Sequence, residues 1–327
     1  TRHIIIVPEQ FSLQAEKRLI KTLGASGING AEVLSFGRLS HRVLEEVGGL
    51  VRKHINSAGK SILVYTIMES LKNDLRVFAR AAGQRGFANT LCGTISELKR
   101  YNIAPDDLTD LETASVSQQL SDKLHDIGLI YGDFEKRLHD KYIDSDDDLD
   151  LLADKLSQCS FFRTSEIWLD EFSGFTPQEY GVIGKLMSNT LRVNVTLCTD
   201  CISDDPELEY TDAFLPAKTA AAKLIRLAKD SGVRVEPPEA LKNCGMKYNN
   251  ELVFLESNLY SYLHGTYKES TKNLKLFEAP NIYTEAESTA RDILKKCREE
   301  GLRYRDIAVI TGDLAQYEKV IRVVFRE

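Results

Sequence analysis

The stretch Glu166-Ile167-Trp168-Leu169-Asp170-Glu171-Phe172 decides the fold. It is a short apolar run that ends in two consecutive carboxylates. Runs of this length are typical of a strand covered on both faces of a parallel sheet. In open α/β sheets, ligands bind at the carboxyl ends of the strands, and this is where the two acids fall. The segment therefore predicts a central strand with an acidic tip that faces a binding site.

Two acids at a strand end suit nucleotide hydrolysis. The first acid would hold Mg²⁺, usually through water, and the second would orient or deprotonate the attacking water. We therefore predict a catalytic pair, Asp170 and Glu171, with Asp170 as the metal-binding residue. The alternative is a strand that ends in a solvated polar turn. The run 173–180 and a further strand at Val193–Cys198 favour the functional interpretation.

Strand and helix patterns alternate on either side of this stretch. Before it, a strand at Ile4–Val7, a helix from Ser12, a strand at Glu32–Phe36 and a helix ending near Val47 predict a parallel sheet with crossover helices. The region from about 50 to 163 shows helical periodicity without a convincing strand. Further on, Ala217–Lys229 and Asn250–Leu263 are predicted helices. Strands at Leu274–Glu278 and Ile307–Ile310, around a helix at Glu285–Glu299, predict a second βαβ unit.

These patterns predict three parts. Residues 1–49 and 164–211 form a first sheet domain, 50–163 form an all-helical insertion, and 212–327 begin a second sheet domain. Thr1 stands where Met would begin a protein, and residues 317–327 stop within a helical pattern. We therefore expect a piece of a longer protein.

Composition limits the function classes. The chain has 327 residues and a net charge of −7, which gives no overall attraction to nucleic acid but leaves room for a local basic groove. The six scattered cysteines predict reduced thiols and a cytoplasmic location. No apolar run is long enough to predict a membrane span.

Four motifs are interpreted as structural. Gly59-Lys60-Ser61 lacks the first glycine of a phosphate loop and a preceding strand, so it predicts a helix start. Cys198 and Cys201 have CxxC spacing but no second pair for zinc. Asp144–Asp150 lacks the glycine and glutamate of a calcium loop, which favours an acidic helix start.

The basic residues of the insertion are interpreted as parts of solvated helix faces. The alternative is that cations near aromatic residues bind a single strand of nucleic acid. The residues are Arg76, Arg80, Arg85 and Lys99-Arg100-Tyr101.

In this order the segments resemble one family over essentially the whole chain: the B subunit of the AddAB/RexAB ATP-dependent helicase/nuclease. The segments that carry the resemblance are Ile6–Ser12, Glu32–Leu39, Gly59-Lys60, Glu97–Tyr101, Ile103–Leu108, Lys141–Asp144, Asp170–Glu179, Asn281, Glu285–Glu287 and Tyr304–Ile310. The series also resembles a superfamily 1 helicase. The resemblance implies an α/β, P-loop/RecA-like parallel-sheet domain (1A) with a helical insertion (1B) and the start of a second RecA-like domain (2A).

The resemblance also implies the wider function. The intact subunit would be an enzyme that uses ATP and Mg²⁺ and carries a nuclease with a 4Fe-4S cluster. It would act on DNA with an A subunit that is the motor, and no membrane is involved. The phosphate loop and the cluster would lie outside this chain, for which we expect no cofactor and no ATPase or nuclease activity. Many family members carry Gly where this chain has Glu171, so residual ATPase competence of the intact subunit stays open.

Candidate DNA-binding residues follow the first two strands: Gln10, Phe11, Ser12, Ser35, Phe36 and Arg38. Phe11 and Phe36 would stack on bases. The alternative is core packing, which we favour for Phe36. Two other functions stay open: an active superfamily 1 motor, and a protein-interaction module that only holds the A subunit.

Overall fold

A computed structural model describes residues 2–24, 30–48, 53–115, 117–139, 142–203, 210–241, 249–260, 263 and 265–326. Lys141, Cys244 and the end of the predicted helix at 261–262 lie outside these ranges. The chain forms two compact units, Thr1–Ala240 and Leu241–Glu327.

The first unit is built on a parallel sheet. The six described strands are β1 (Arg2–Ile6), β2 (Ala31–Leu34), β3 (Lys53–His54), β4 (Tyr142–Ile143), β5 (Ser165–Leu169) and β6 (Arg192–Val195). Four of them form one sheet in the order β2-β1-β5-β6, with all three pairings parallel. This confirms the predicted α/β class, with the strand before the two acids at the centre of the sheet.

The central strands bury one face completely. Ile4 pairs in register with Ile167, and Ile6 with Leu169. All four side chains have no exposed surface. Because side chains alternate along a strand, the neighbouring Trp168 lies on the other face, where it remains 38% exposed. The sheet is therefore packed on one face and more open on the other.

Nine described helices accompany the strands of the first unit. They are α1 (Ser12–Leu23), α2 (Phe36–Val47), α3 (Ser57–Ser70), α4 (Arg85–Arg100), α5 (Pro105–Ala114), α6 (Gln118–His139), α7 (Asp148–Leu156), α8 (Pro177–Asn189) and α9 (Leu215–Asp230). Leu39 of α2, Leu152 of α7 and Ile183 of α8 belong to the core of the sheet. Each of these three helices thus buries an apolar stripe on the face formed by Ile4 and Leu169.

The helical region, which contains helices α3 to α6, has its own apolar core. Ile67 of α3, Ile95 of α4 and Phe134 of α6 are fully or almost fully buried in a second apolar cluster. This region also contains a parallel pair, β3 and β4. The expectation that it contains no strand was therefore wrong, because two-residue strands are too short to show alternation.

The packing adds detail to the predicted three-part division. Leu152 and Leu156 lie in the core of the sheet although they fall within 50–163. Helix α9 belongs to the first compact unit although it falls within 212–327. The boundaries at 49/50, 163/164 and 211/212 stay predictions.

The second unit contains α10 (Asn250–Asn258), α11 (Ile282–Glu299) and α12 (Leu314–Val324). The predicted helix at Glu285–Glu299 is confirmed. The predicted strands at Leu274–Glu278 and Ile307–Ile310 were wrong, since neither segment is a strand in the structure. A strand needs a hydrogen-bonded neighbour, and no described backbone pairs with either segment. Leu276 and Ile310 are accordingly almost fully exposed.

A buried ion network joins the helices of the helical region. Lys60 of α3 contacts Asp144 at 2.7 Å and Asp146 at 2.6 Å. Lys99 of α4 contacts Glu135 of α6 at 2.7 Å and Asp147 at 2.7 Å. Both lysine side chains are less than 10% exposed. The acidic segment Asp144–Asp150 therefore does more than begin a helix, because its carboxylates neutralise two buried cations.

None of the described helices is long and apolar enough to cross a membrane.

Candidate functional site at the carboxyl edge of the sheet

The carboxyl ends of β1 and β5 meet at a topological switch point. Strand β1 leads through α1 to β2 on one side, and β5 leads through α8 to β6 on the other. Neighbouring strands whose connections run apart leave a crevice between their loops, the usual ligand site of open α/β sheets. The loops that meet here are 7–11 and 170–176. The fold thus places the acidic pair beside the predicted DNA-binding segment.

Asp170 is held firmly at this edge. Its backbone N–H donates to the Ile6 carbonyl at 3.0 Å, which extends the pairing of β1 and β5 by one bond. Its half-buried carboxylate accepts a hydrogen bond from the Thr196 hydroxyl, just after β6. Both residues line an open pocket of about 470 Å³, which is also lined by Glu171 and by Phe214 and Ala217 at the start of α9. The pocket is therefore lined both by carboxylate and hydroxyl oxygens and by apolar side chains.

Glu171 points its carboxylate elsewhere. Its backbone is in the left-handed region, with φ +65°, which only Asn102 shares among the described non-glycine residues. The carboxylate lies 2.7 Å from Arg18 Nη1 on α1. The left-handed backbone costs about 1–2 kcal/mol for a side chain with a Cβ atom. An exposed ion pair is worth about 0.2–1 kcal/mol, so this contact does not repay the strain.

The predicted DNA-binding residues divide into an exposed group and a buried group. Gln10 is exposed and Phe11 is half-buried in a 3-10 helix, Glu9–Phe11, that leads into α1. Ser12 is half-buried, and its hydroxyl donates to the Glu9 carbonyl at 2.9 Å. Arg38 is exposed at the start of α2. These residues lie around the switch point, while their contact with DNA stays a prediction.

The buried pair has structural roles. The Ser35 side chain caps α2 by accepting a hydrogen bond from the Arg38 N–H at 3.3 Å. Phe36 is 7% exposed and packs edge-to-face on Phe172, with the ring centroids 5.7 Å apart. This burial favours the packing alternative for Phe36 over stacking on a base.

The structural interpretation of Gly59-Lys60-Ser61 is confirmed. The three residues lie in the first turn of α3, where the Asn56 side chain accepts a hydrogen bond from the Gly59 N–H at 2.8 Å. Lys60 points into the buried ion network. A phosphate-binding lysine must reach a ligand, and this one is already occupied by Asp144 and Asp146.

The structure adds detail on the remaining motifs and corrects one interpretation. Cys198 and Cys201 are exposed free thiols, and no potential metal-binding group of three or more His, Cys, Asp or Glu occurs among the described residues. Arg76 pairs with Glu112 at 2.9 Å. The interpretation of Lys99 as part of a solvated face was wrong, because its partners Glu135 and Asp147 allow it to be buried.

Sequence reasoning missed two residues of the site. Thr196 follows β6, and a hydroxyl one residue past a strand, at the carboxyl edge of the sheet, was the available signal. Arg18 had no such signal, because its partner lies 153 residues away. Arg18, Lys17 and Lys21 all project exposed from α1. An acidic protein thus carries a local basic surface beside the switch point.

Fold and site together define an α/β protein with an acidic strand tip at the switch point of a parallel sheet. The family model described as "ADDB, N-terminal" matches residues 1–256. The chain belongs to this family.

Curated relatives are named as the B subunit of an ATP-dependent helicase/deoxyribonuclease. The chain is 45% identical to the one from Acetivibrio thermocellus over 99% of its own length. It is 46% identical to the one from Clostridium botulinum strain Loch Maree over 98%, and 44% identical to the one from Clostridium acetobutylicum over 99%. The chain spans 28% of the length of each of these relatives.

Proposed function

We propose that this chain is the helicase-like, DNA-contacting part of the B subunit of an ATP-dependent helicase/deoxyribonuclease. The intact protein would pair with an A subunit and process double-strand breaks for recombinational repair in the cytoplasm. One observation carries the proposal. The acidic loop after β5 lies beside the loop 7–11 and the basic helix α1, at the switch point of a parallel sheet in a chain with relatives of that name.

The sheet is proposed to be of the P-loop/RecA-like type. The parallel order β2-β1-β5-β6 and the acidic tip of β5 support this assignment. Mg²⁺ prefers oxygen ligands and is often held by one or two carboxylates together with substrate phosphates. Asp170, with the Thr196 hydroxyl beside it, fits that requirement and would hold Mg²⁺ when a nucleotide is bound.

The chain itself is proposed not to hydrolyse ATP. Affinity for a nucleotide comes mostly from a phosphate loop and its helix terminus. The one similar sequence, Gly59-Lys60-Ser61, has its lysine buried in ion pairs. We expect no phosphate release above background from ATP and Mg²⁺, with or without single-stranded DNA. Turnover that disappears in the Asp170→Asn variant would refute this and favour an active motor.

Binding of single-stranded DNA tests the main proposal. We expect a fluorescent oligothymidylate to bind the chain and to be released by salt, because Lys17, Lys21 and Arg38 would contact phosphates. Three phosphate contacts predict a slope of about −2 for log K against log salt concentration. Phe11→Ala should weaken binding further through the loss of a stacking surface. Fluorescence anisotropy at several salt concentrations measures both effects.

Leu13→Ala is the matched control for Phe11. Leu13 is 61% exposed, two residues along the same segment, and its removal should leave the affinity unchanged. Absence of any salt-sensitive binding would refute the DNA-contacting role and favour a module that only holds the A subunit.

A further inference from the structure

Helix α1 is weakly anchored to the sheet. None of its twelve residues, all of them described, is buried. Leu13, Ile20 and Leu23 are each about half exposed or more. Elements with few buried apolar contacts open locally at low free-energy cost. The position of α1, and of the loop 8–11 before it, therefore depends on other contacts.

Two ion pairs supply such contacts. Glu16 pairs with Arg38 at the start of α2, with 3.3 Å between the charged atoms. Arg18 pairs with Glu171 in the loop after β5 at 2.7 Å. The second pair crosses the switch point and joins α1 to the loop that follows β5 and contains Asp170.

The backbone of Glu171 is strained, with φ +65°. The left-handed conformation disfavours every residue with a Cβ atom, and glycine would adopt it without strain. The strain costs more free energy than an exposed ion pair contributes, so a glutamate at this position adds little to the stability of the folded state. Asp170, in contrast, accepts a hydrogen bond from Thr196. The carboxylates of the two neighbouring acids thus have different partners.

We propose that Glu171 is a positioning residue that holds the loop 8–11 and the first turn of α1 at the switch point through Arg18, rather than a group that activates water. The loop is held by the charge pair whether or not DNA is present. That the held loop receives single-stranded DNA rests on the proposed function. Arg18 and Glu171 lie on opposite walls of the crevice. A movement of the loop after β5 is therefore transmitted through the ion pair to the segment that contains Gln10 and Phe11.

Two substitutions of Glu171 separate positioning from stability. Both Glu171→Ala and Glu171→Gly remove the carboxylate, but only glycine also removes the strain. We expect the melting temperature of the glycine variant to lie about 2–4 °C above that of the alanine variant. Backbone amides of residues 9–18 should nevertheless exchange with solvent about two- to fivefold faster than wild type in both variants. Hydrogen exchange and thermal melts of the chain measure both quantities.

Charge exchange and a matched control complete the test. Arg18→Ala should accelerate exchange as Glu171→Ala does, and the double variant Arg18→Glu/Glu171→Arg should restore it towards wild type. Arg192→Ala removes another exposed Arg–Glu pair, with Glu236 at 3.3 Å, and should leave residues 9–18 unchanged. If exchange at residues 9–18 follows melting temperature in the two Glu171 variants, or stays at the wild-type rate, the positioning role is refuted.

Affinity for oligothymidylate in the same variants keeps the two proposals apart. Weaker binding in both Glu171 variants supports positioning for DNA. Altered exchange with wild-type affinity supports the positioning role but overturns its connection with DNA. Wild-type protein that binds no DNA contradicts the proposed function, while hydrogen exchange still decides the role of Glu171.

Discussion

Replacement of Lys99 by methionine is expected to lower the free energy of unfolding of the first unit by about 3–5 kcal/mol. The Lys99 side chain is 3% exposed and lies 2.7 Å from both Glu135 and Asp147, and 3.4 Å from Asp144. Removal of the cation leaves three neighbouring carboxylates without their shared cation, and one of them, Asp144, is almost fully buried. Methionine keeps most of the side-chain volume, so the loss reports on charge rather than on a cavity. Urea unfolding at neutral pH measures it.

The pH dependence of the Lys99→Met deficit gives a second test. Burial alone would lower the pKa of Lys99, but the nearby carboxylates, Asp147 above all, raise it above its ordinary value. A raised lysine pKa contributes stability that is fully present at neutral pH and is lost only in strongly alkaline solution. The deficit of the variant should therefore stay constant around neutral pH and shrink only in strongly alkaline solution. Lys136→Met, which removes an exposed cation from α6 of the same unit, should change stability by no more than about 0.5 kcal/mol. A Lys99→Met deficit below about 1 kcal/mol would contradict the role of the network.

Replacement of Asp126 by alanine is expected to cost about 3–5 kcal/mol. Asp126 on α6 has no exposed surface. Its carboxylate accepts three backbone hydrogen bonds, each 2.8 Å long, from the N–H groups of Arg76, Val77 and Phe78. Alanine leaves three N–H groups without this acceptor, and the segment that brings Phe78 against the second core loses its anchor. Thermal and urea unfolding measure the loss.

Asparagine and a neighbouring acid serve as controls for Asp126. Asp126→Asn keeps the shape of the side chain but places an NH₂ group, which cannot accept a hydrogen bond, opposite N–H donors on one side. We expect this variant to lose more than half of the stability that the alanine variant loses. Asp122→Ala, one turn earlier on α6, removes an exposed contact to Arg76 and should cost only a small fraction of that amount. Equal effects of Asp122→Ala and Asp126→Ala would contradict the anchoring role.

Local patterns were enough to predict the sheet and the position of Asp170. The apolar runs at 4–7 and 167–169 lie in neighbouring parallel strands, and the acid after the second run falls at the carboxyl edge of the sheet whatever the order of the strands. The strands predicted at 274–278 and 307–310 failed because a strand also needs a partner backbone, which local periodicity cannot supply. Strands β3 and β4 were too short for any periodicity to appear.

Long-range charge pairs could not be predicted. Arg18 and Glu171 are 153 residues apart, and Lys60 and Asp144 are 84 apart. A lysine on a helix is ordinarily solvated, so Lys60 and Lys99 gave no sign of burial. Only the packing of α3, α4 and α6 brings the acidic run 144–147 against them. The same packing shows why Gly59-Lys60-Ser61, which is similar to part of a phosphate loop, is a structural element.

The most direct measurement is the site of contact between the chain and single-stranded DNA. An oligonucleotide containing photoreactive thymidine analogues can be crosslinked to the protein and the modified peptides identified by mass spectrometry. We predict crosslinks in residues 8–24 and at the start of α2 around Arg38, on both sides of the switch point. Crosslinks confined to the helices α3–α6, or none above those of a protein that does not bind DNA, would contradict a DNA site at the carboxyl edge of the sheet.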